Sequence, residues 1–344
     1  MICVPPAFGR GVQADARRLS CELGRLSCEL GRLAFSRGRN GRIAPSGGIF
    51  QKRGFMNAIV TSSVILAAGM GIRMGRRGKR MPKGFLRLGD RPIIEESISR
   101  LLEVGVRRIV IVTGHIAGFY HDLQARYPDV VQLVHNPYYA DSGSMYSLYC
   151  ASRYVREDFL LLESDLIYER QALTTLLEYP EDNVVLLSGF TKSSDEVFVQ
   201  TNNGCLVAMS KDRDSLGPHV AGELVGISKI SQRLYRVMLQ KAVERFHTTR
   251  HMDYETDCLV AAARVIPVNC HVVEDLAWSE MDDEWQLIRA RDKVYPAILQ
   301  RDNQTAPIAR ESGQDGRRLR NLRAALSDRV GAAVLPREGT KNPQ

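Results

Sequence analysis

Three apolar runs of strand length, each ending in glycine or a polar residue and each followed by a helical pattern, constrain this fold more than any other feature. VILAAG (64–69), RRIVIVTG (107–114) and DFLLLESD (158–165) are nearly continuous runs of Val, Ile, Leu and Ala, as carried by strands covered on both faces. Between the first two, PIIEESISRLLEVG (92–105) opens at Pro92 and closes at Gly105, residue types that start and stop helices. Ile94, Ile98, Leu101 and Leu102 then share one helix face. The alternation predicts an α/β protein with a Rossmann-like, mostly parallel central sheet and helices on both faces. Ligands of such sheets collect beyond the carboxyl ends of the strands, which puts Gly69, Gly114 and Asp165 on one rim. After about Asn183 the runs shorten to VVLLSGF, EVFVQT, CLVAMS and ELVGISKI, with a turn cluster at Thr201, Asn202, Asn203 and Gly204. These predict a smaller mixed-sheet insertion. A helix over 232–246, a second around 254–264 and a strand HVVEDL follow.

The two ends differ from this body. Residues 1–55 repeat LSCELGR at 19–25 and 26–32 and hold ten Lys/Arg against three Asp/Glu. Two copies with a glycine each do not sustain a coiled coil, and little else there can be buried. A disordered leader is expected over 1–55, either a transit segment or sequence upstream of a working start at Met56. One folded domain is expected over 56–300 and a disordered tail over 301–344. That tail holds nine Lys/Arg against five Asp/Glu, so the overall charge of +8 resides in the ends and residues 56–300 are net negative. Nucleic acid is therefore not an indicated partner. No apolar run approaches the roughly 18 residues of a membrane span. Seven cysteines without a C-x-x-C pair fit a reducing, cytoplasmic setting, with neither a disulfide framework nor a zinc site.

The first strand runs into a glycine-rich, cationic loop, which asks for an anion. A phosphate loop of the form G-x-x-x-x-G-K-[ST] is absent, and Met74 stands where a dinucleotide fingerprint needs a small residue. LAAGMGIRM followed by Met81, Pro82 and Lys83 fits a third pattern, that of nucleotidyltransferases joining a nucleoside triphosphate to a phosphorylated small molecule. Backbone N–H groups of Ala68, Gly69, Met70 and Gly71 suit the β- and γ-phosphates, and Arg73 adds a forked contact. Lys83 is placed to neutralise charge growing on the α-phosphate. Asp165, at a strand end on the ligand rim, calls for a cation, and Mg2+ held by carboxylates and substrate phosphates is the usual solution. SEMDDEWQL offers Glu280, Asp282 and Asp283 as further carboxylates, with helix capping the alternative for Asp282 or Asp283.

KGFLRLGDRPIIEESI, NPYYADSGSMYSLYCA, FLLLESDLIYE, LLSGFTKSSDEVFV, GELVGISKIS and WSEMDDE together resemble the cytidylyltransferases of the phosphocholine type. Within them the likeness is strongest to the phosphonate cytidylyltransferases, over about seven tenths of the chain. VTGH departs from the family pattern, which has an aromatic after the glycine. The resemblance implies the nucleotidyltransferase fold, CTP as donor and 2-aminoethylphosphonate as acceptor, with phosphocholine or another small phosphate as the alternative. It places Leu66, Ala67, Ala68, Gly69, Met70 and Gly71 around the ribose and phosphates, and Asn136, Gly143 and Ser144 near the base. Asp165 and Asp282 would hold magnesium. Lys211, Tyr254, Glu255 and Trp278 are candidates for the acceptor, since an ammonium prefers carboxylates and a trimethylammonium an aromatic cage. No Ser/His/Asp or Cys/His set is needed, because the attacking oxygen is already anionic. A non-catalytic nucleotide-binding module is the rival class, opposed by the intact Arg73, Lys83, Asp165 and Asp282 set. A homodimer is compatible with the sequence.

Overall fold

The computed structural model describes residues 60–191, 193 and 196–304, so the expected leader over 1–55 and the expected tail from 305 onward lie outside the described residues. The chain divides into a body ending at Gln300 and a C-terminal unit from Arg301, whose described part is the last turn of a helix, Tyr295–Gln304.

Among the described residues, nine strands form one sheet. Strands β1 (Ser62–Ala67), β2 (Arg108–Thr113), β3 (Val131–His135) and β4 (Phe159–Glu163) lie in the order β3-β2-β1-β4, all parallel. Every residue of β1 is buried, as its unbroken apolar run demands. A short strand β5 (Leu166–Tyr168) leaves the main sheet just after β4. The sheet continues through β6 (Val184–Ser188), β7 (Phe198–Asn202), β8 (Cys205–Ser210), β9 (Val220–Ile230) and β10 (Asn269–Val273). Finally β11 (Trp278–Glu280) pairs antiparallel with β5 as a separate ribbon.

The smaller mixed-sheet region expected after about Asn183 continues the main sheet, with antiparallel pairings. Strand β9 is eleven residues long; its end pairs with β4, its middle with β6 and its start with β7. The order β9-β6-β10-β8-β7 therefore closes on itself through the β7–β9 pairing. Within β9, the register against β6 slips between Val185 and Leu187, opposite Gly226, whose φ is +80°. Bulges of this kind bend a long strand and increase its twist. The β7–β8 turn at Asn203 and Gly204, both with positive φ, is the hairpin turn their residue types favour.

Helices cover the sheet. On one face, α1 (Ile93–Glu103) buries Ile94, Ile98 and Leu101, with Leu102 partly exposed at its margin. Helix α2 (Gly118–Arg126) buries Tyr120 and Leu123. Helix α3 (Ser144–Cys150), α4 (Gln171–Glu178) and α5 (Gln232–Phe246) follow, α5 with the bounds its pattern predicts and Ser231 as its N-cap, accepting from Leu234 N–H at 3.2 Å. The helix expected around 254–264 is present, beginning as a widened π-helical stretch, Tyr254–Leu259, and continuing as α6 (Val260–Ala263). Val64 and Leu66 of β1, Met145 and Leu148 of α3, Tyr235 and Met238 of α5, and Tyr254 share the main core. A second cluster, including Ile167, Met281 and Leu287, backs the β5–β11 ribbon, with Leu287 coming from α7 (Glu284–Arg289).

Candidate active site

The rim predicted from the strand ends is a cleft. Leu66, Ala67, Ala68 and Gly69 form its floor at the end of β1, and Lys83, Gly143, Ser144, Asp165 and Tyr254 stand around it. Met70 and Gly71 lie beyond the lining residues, where the loop turns into Ile72–Met74. Lys83 opens a tight turn, Lys83–Phe85, behind Pro82 at φ −63°. Phe85 meets Phe119 and Tyr120 edge-on, each at 5.1 Å, so α2 fixes the turn that carries the lysine.

The β5–β11 ribbon explains why residues more than a hundred positions apart meet. Glu280 pairs with Leu166, and Met281 N–H donates to Asp165 O at 3.1 Å. That pairing brings Asp165 and Asp282 to the two sides of Lys83, whose Nζ donates to Asp165 Oδ2 at 2.6 Å and to Asp282 Oδ1. Arg73 Nη2 sits 2.5 Å from Asp282 Oδ2. Burial works against the Lys83 charge, yet the two carboxylates hold its pKa above the ordinary lysine value. Burial likewise opposes ionisation of Asp282, but Lys83 and then Arg73 bring its pKa down to about 2. The capping role belongs to Asp283, which accepts from Gln286 N–H at 2.8 Å at the start of α7.

Beside the expected pair of Asp165 and Asp282 stands a carboxylate trio: oxygens of Glu163, Asp165 and Glu280 lie within 4.8 Å of one another, while Lys83 engages both Asp165 and Asp282 and Arg73 also engages Asp282. Burial raises the pKa of both Glu163 and Glu280 well above the ordinary carboxylate range, followed by repulsion from Glu255 and Asp165 for Glu163 and from Glu163 and Asp165 for Glu280. Hard oxygen donors this close suit a divalent cation, which would relieve that repulsion. Glu163 had a signal in the sequence: alternation along ESD sends residues 163 and 165 to the same side. Tyr254, expected to face the acceptor, is buried, and its hydroxyl donates to Glu163 Oε1 at 2.8 Å.

A second depression adjoins the cleft and shares Glu163, Glu255 and Glu280 with it. Lys211, Trp278, Arg73 and Arg289 line it. Trp278 is its only aromatic lining residue among the described residues, and the buried indole N–H has no hydrogen-bond partner. Burial, then Asp253, pushes the Glu255 pKa up to about 7. The structure thus brings Arg73, Lys83, Asp165, Lys211, Glu255, Trp278 and Asp282 to one connected hollow. Asn136 stands behind it: fully buried, it donates to Ser142 Oγ at 3.1 Å and Ser147 Oγ at 3.0 Å, and accepts from Tyr138 N–H at 2.9 Å.

Residues 63–225 match the MobA-like NTP transferase domain. A CMP-5'-(3-aminopropyl)phosphonate synthase of Streptomyces rubellomurinus is 28% identical over 238 residues, which is 66% of this chain but 38% of that protein. A 2-aminoethylphosphonate cytidylyltransferase of Lancefieldella rimae is 28% identical over 249 residues, 71% of this chain and 96% of the relative. Among solved structures, the inositol-1-phosphate CTP transferase of T. maritima superposes with a TM-score of 0.60 at 19% identity, covering 72% of this chain and 99% of that one. The sheet order, the glycine loop with its lysine and the likeness to these relatives agree: residues 63–225 match a MobA-like NTP transferase domain, and the chain is similar to the phosphonate cytidylyltransferases.

Proposed function

We propose that the protein transfers the cytidylyl group of CTP to 2-aminoethylphosphonate, releasing pyrophosphate. The observation that carries this reading is the meeting of two depressions at one carboxylate cluster, a cleft floored by the glycine loop and a hollow of mixed charge. A zwitterion fits the second hollow: Glu255 suits the ammonium, while Lys211 and Arg289 suit the phosphonate. Both relatives described above are named for ω-aminoalkylphosphonate products or substrates, which supports the same class. One indole is a poor cage for the trimethylammonium of phosphocholine, which prefers several aromatic faces.

The phosphonate oxygen attacks the α-phosphorus, a new P–O bond forms, and the bond to the β-phosphate breaks with its electron pair leaving on pyrophosphate. Lys83 supplies positive charge where the pentavalent phosphorus gathers negative charge, and Asp165 and Asp282 hold its ammonium in place. Glu163, Asp165 and Glu280 would hold a Mg2+ ion, which neutralises phosphate charge when bound. Leu66 to Gly69 present backbone to the nucleotide, and positioning of two anions replaces any general base.

Pyrophosphate release with CTP and Mg2+ over a panel of acceptors, with the product identified by phosphorus NMR, tests the reading. The expected product has a phosphonate-to-phosphate anhydride. Turnover only in the absence of an acceptor, or a preference for acceptors lacking the amine, would contradict it.

A further inference from the structure

We propose that Ser144 is a positioning residue for the acceptor, acting through Glu255, and that it does not read the cytosine base. The start of α3 is stitched to the segment from Arg250 to Glu255. Gly143 N–H donates to Arg250 O at 2.9 Å and Met145 N–H to Met252 O at 3.0 Å. The contact is so close that a Cβ on Gly143 would stand 2.4 Å from Met252 O. Arg250 holds the segment from outside, with its guanidinium 4.0 Å over the Tyr138 ring.

Within this seam the Ser144 hydroxyl has its bonds assigned. Its oxygen accepts from Tyr254 N–H at 2.8 Å. Its single proton goes to Glu255 Oε2 at 3.3 Å or Asp253 Oδ1 at 3.4 Å. The backbone N–H of Ser144 also points to Asp253 Oδ1, at 3.5 Å. Glu255 lines both depressions, so the hydroxyl on the nucleotide side orients the carboxylate on the acceptor side. A carboxylate held by one donor keeps its remaining lone pairs directed at an incoming ammonium.

This inference rests on the acceptor reading above. The test compares 2-aminoethylphosphonate with ethylphosphonate, which lacks the amine, in the full-length wild type, Ser144→Ala, Ser144→Thr, Glu255→Gln and the Ser144→Ala/Glu255→Gln double variant. The KM ratio of the two acceptors measures recognition of the amine, and calorimetry measures CTP binding separately. We expect Ser144→Ala to reduce the ratio about tenfold, as loss of a hydrogen bond to a charged group does, with CTP affinity changed by less than about twofold. Ser144→Thr should restore the ratio, and Ser144→Ala should have no further effect once Glu255 is Gln. Independent, multiplying effects in the double variant, or a loss of CTP affinity with the ratio intact, would overturn the role of Ser144 alone. A wild type with no preference for the amine would overturn the acceptor reading and this inference with it.

Discussion

In the proposed reaction, Lys83 is the residue on which the chemistry most depends. Its ammonium is held between Asp165 and Asp282, so it is positioned before the nucleotide arrives. Charge at the α-phosphorus grows in the transition state, so Lys83→Ala should lower kcat about a hundred- to a thousandfold, about 3 to 4 kcal/mol. Steady-state kinetics in which only the Michaelis constant for CTP changes would refute that placement. Glu255 gives a pH signature. Burial and Asp253 raise its pKa to about 7, so it is neutral below that pH and anionic above it. An anion is what an ammonium needs, so the KM for 2-aminoethylphosphonate should fall as pH rises from about 6 to about 8, with that for ethylphosphonate changing less. That Arg73, Lys83 and Asp165 gather at one site was legible in the sequence, because the glycine loop and the end of the third apolar run fall on the same rim. Glu163 was harder to see, since its neighbours Glu255 and Glu280 come from distant segments.

At the scale of elements, the β5–β11 ribbon and the bulge in β9 shape the site. A Cβ at Gly226 would press to 3.1 Å from Leu166 Cδ1 and 3.4 Å from Glu163 Cδ, beside the carboxylate trio. Its φ of +80° adds strain for any L side chain. Gly226→Ala should therefore destabilise the protein by about 1 to 2 kcal/mol from backbone strain alone, read as a lower midpoint in urea. An unchanged midpoint would count against the bulge geometry. In the parallel half of the sheet β1, β2 and β4 were readable because buried strands are nearly unbroken apolar runs, whereas the short, half-exposed edge strand β3, VQLVH, was not. Strand β9 was readable as ELVGISKI, but its full length was not, since Gly222 and the buried Glu223 interrupt the apolar pattern and only its three partners make Val220–Ile230 one continuous strand. The β7–β8 hairpin was announced by its Asn-Gly turn.

For the whole molecule, catalysis and binding are assigned to the net-negative body, and no residue outside it is asked to contribute. No helix among the described residues is long and apolar enough to cross a membrane. A shortened protein beginning at Met56 should keep its turnover, and an insoluble or inactive product would show that residues 1–55 contribute to the working protein. The acidic junction between the two hollows carries the central proposal, that the site selects an acceptor with an ammonium at one end and a phosphonate at the other. The most direct test is the ratio of kcat/KM for 2-aminoethylphosphonate and phosphocholine, measured with CTP and Mg2+ on the full-length protein. A ratio well above one is predicted from the carboxylates around Glu255 and the single indole of Trp278, and a ratio below one would contradict the account.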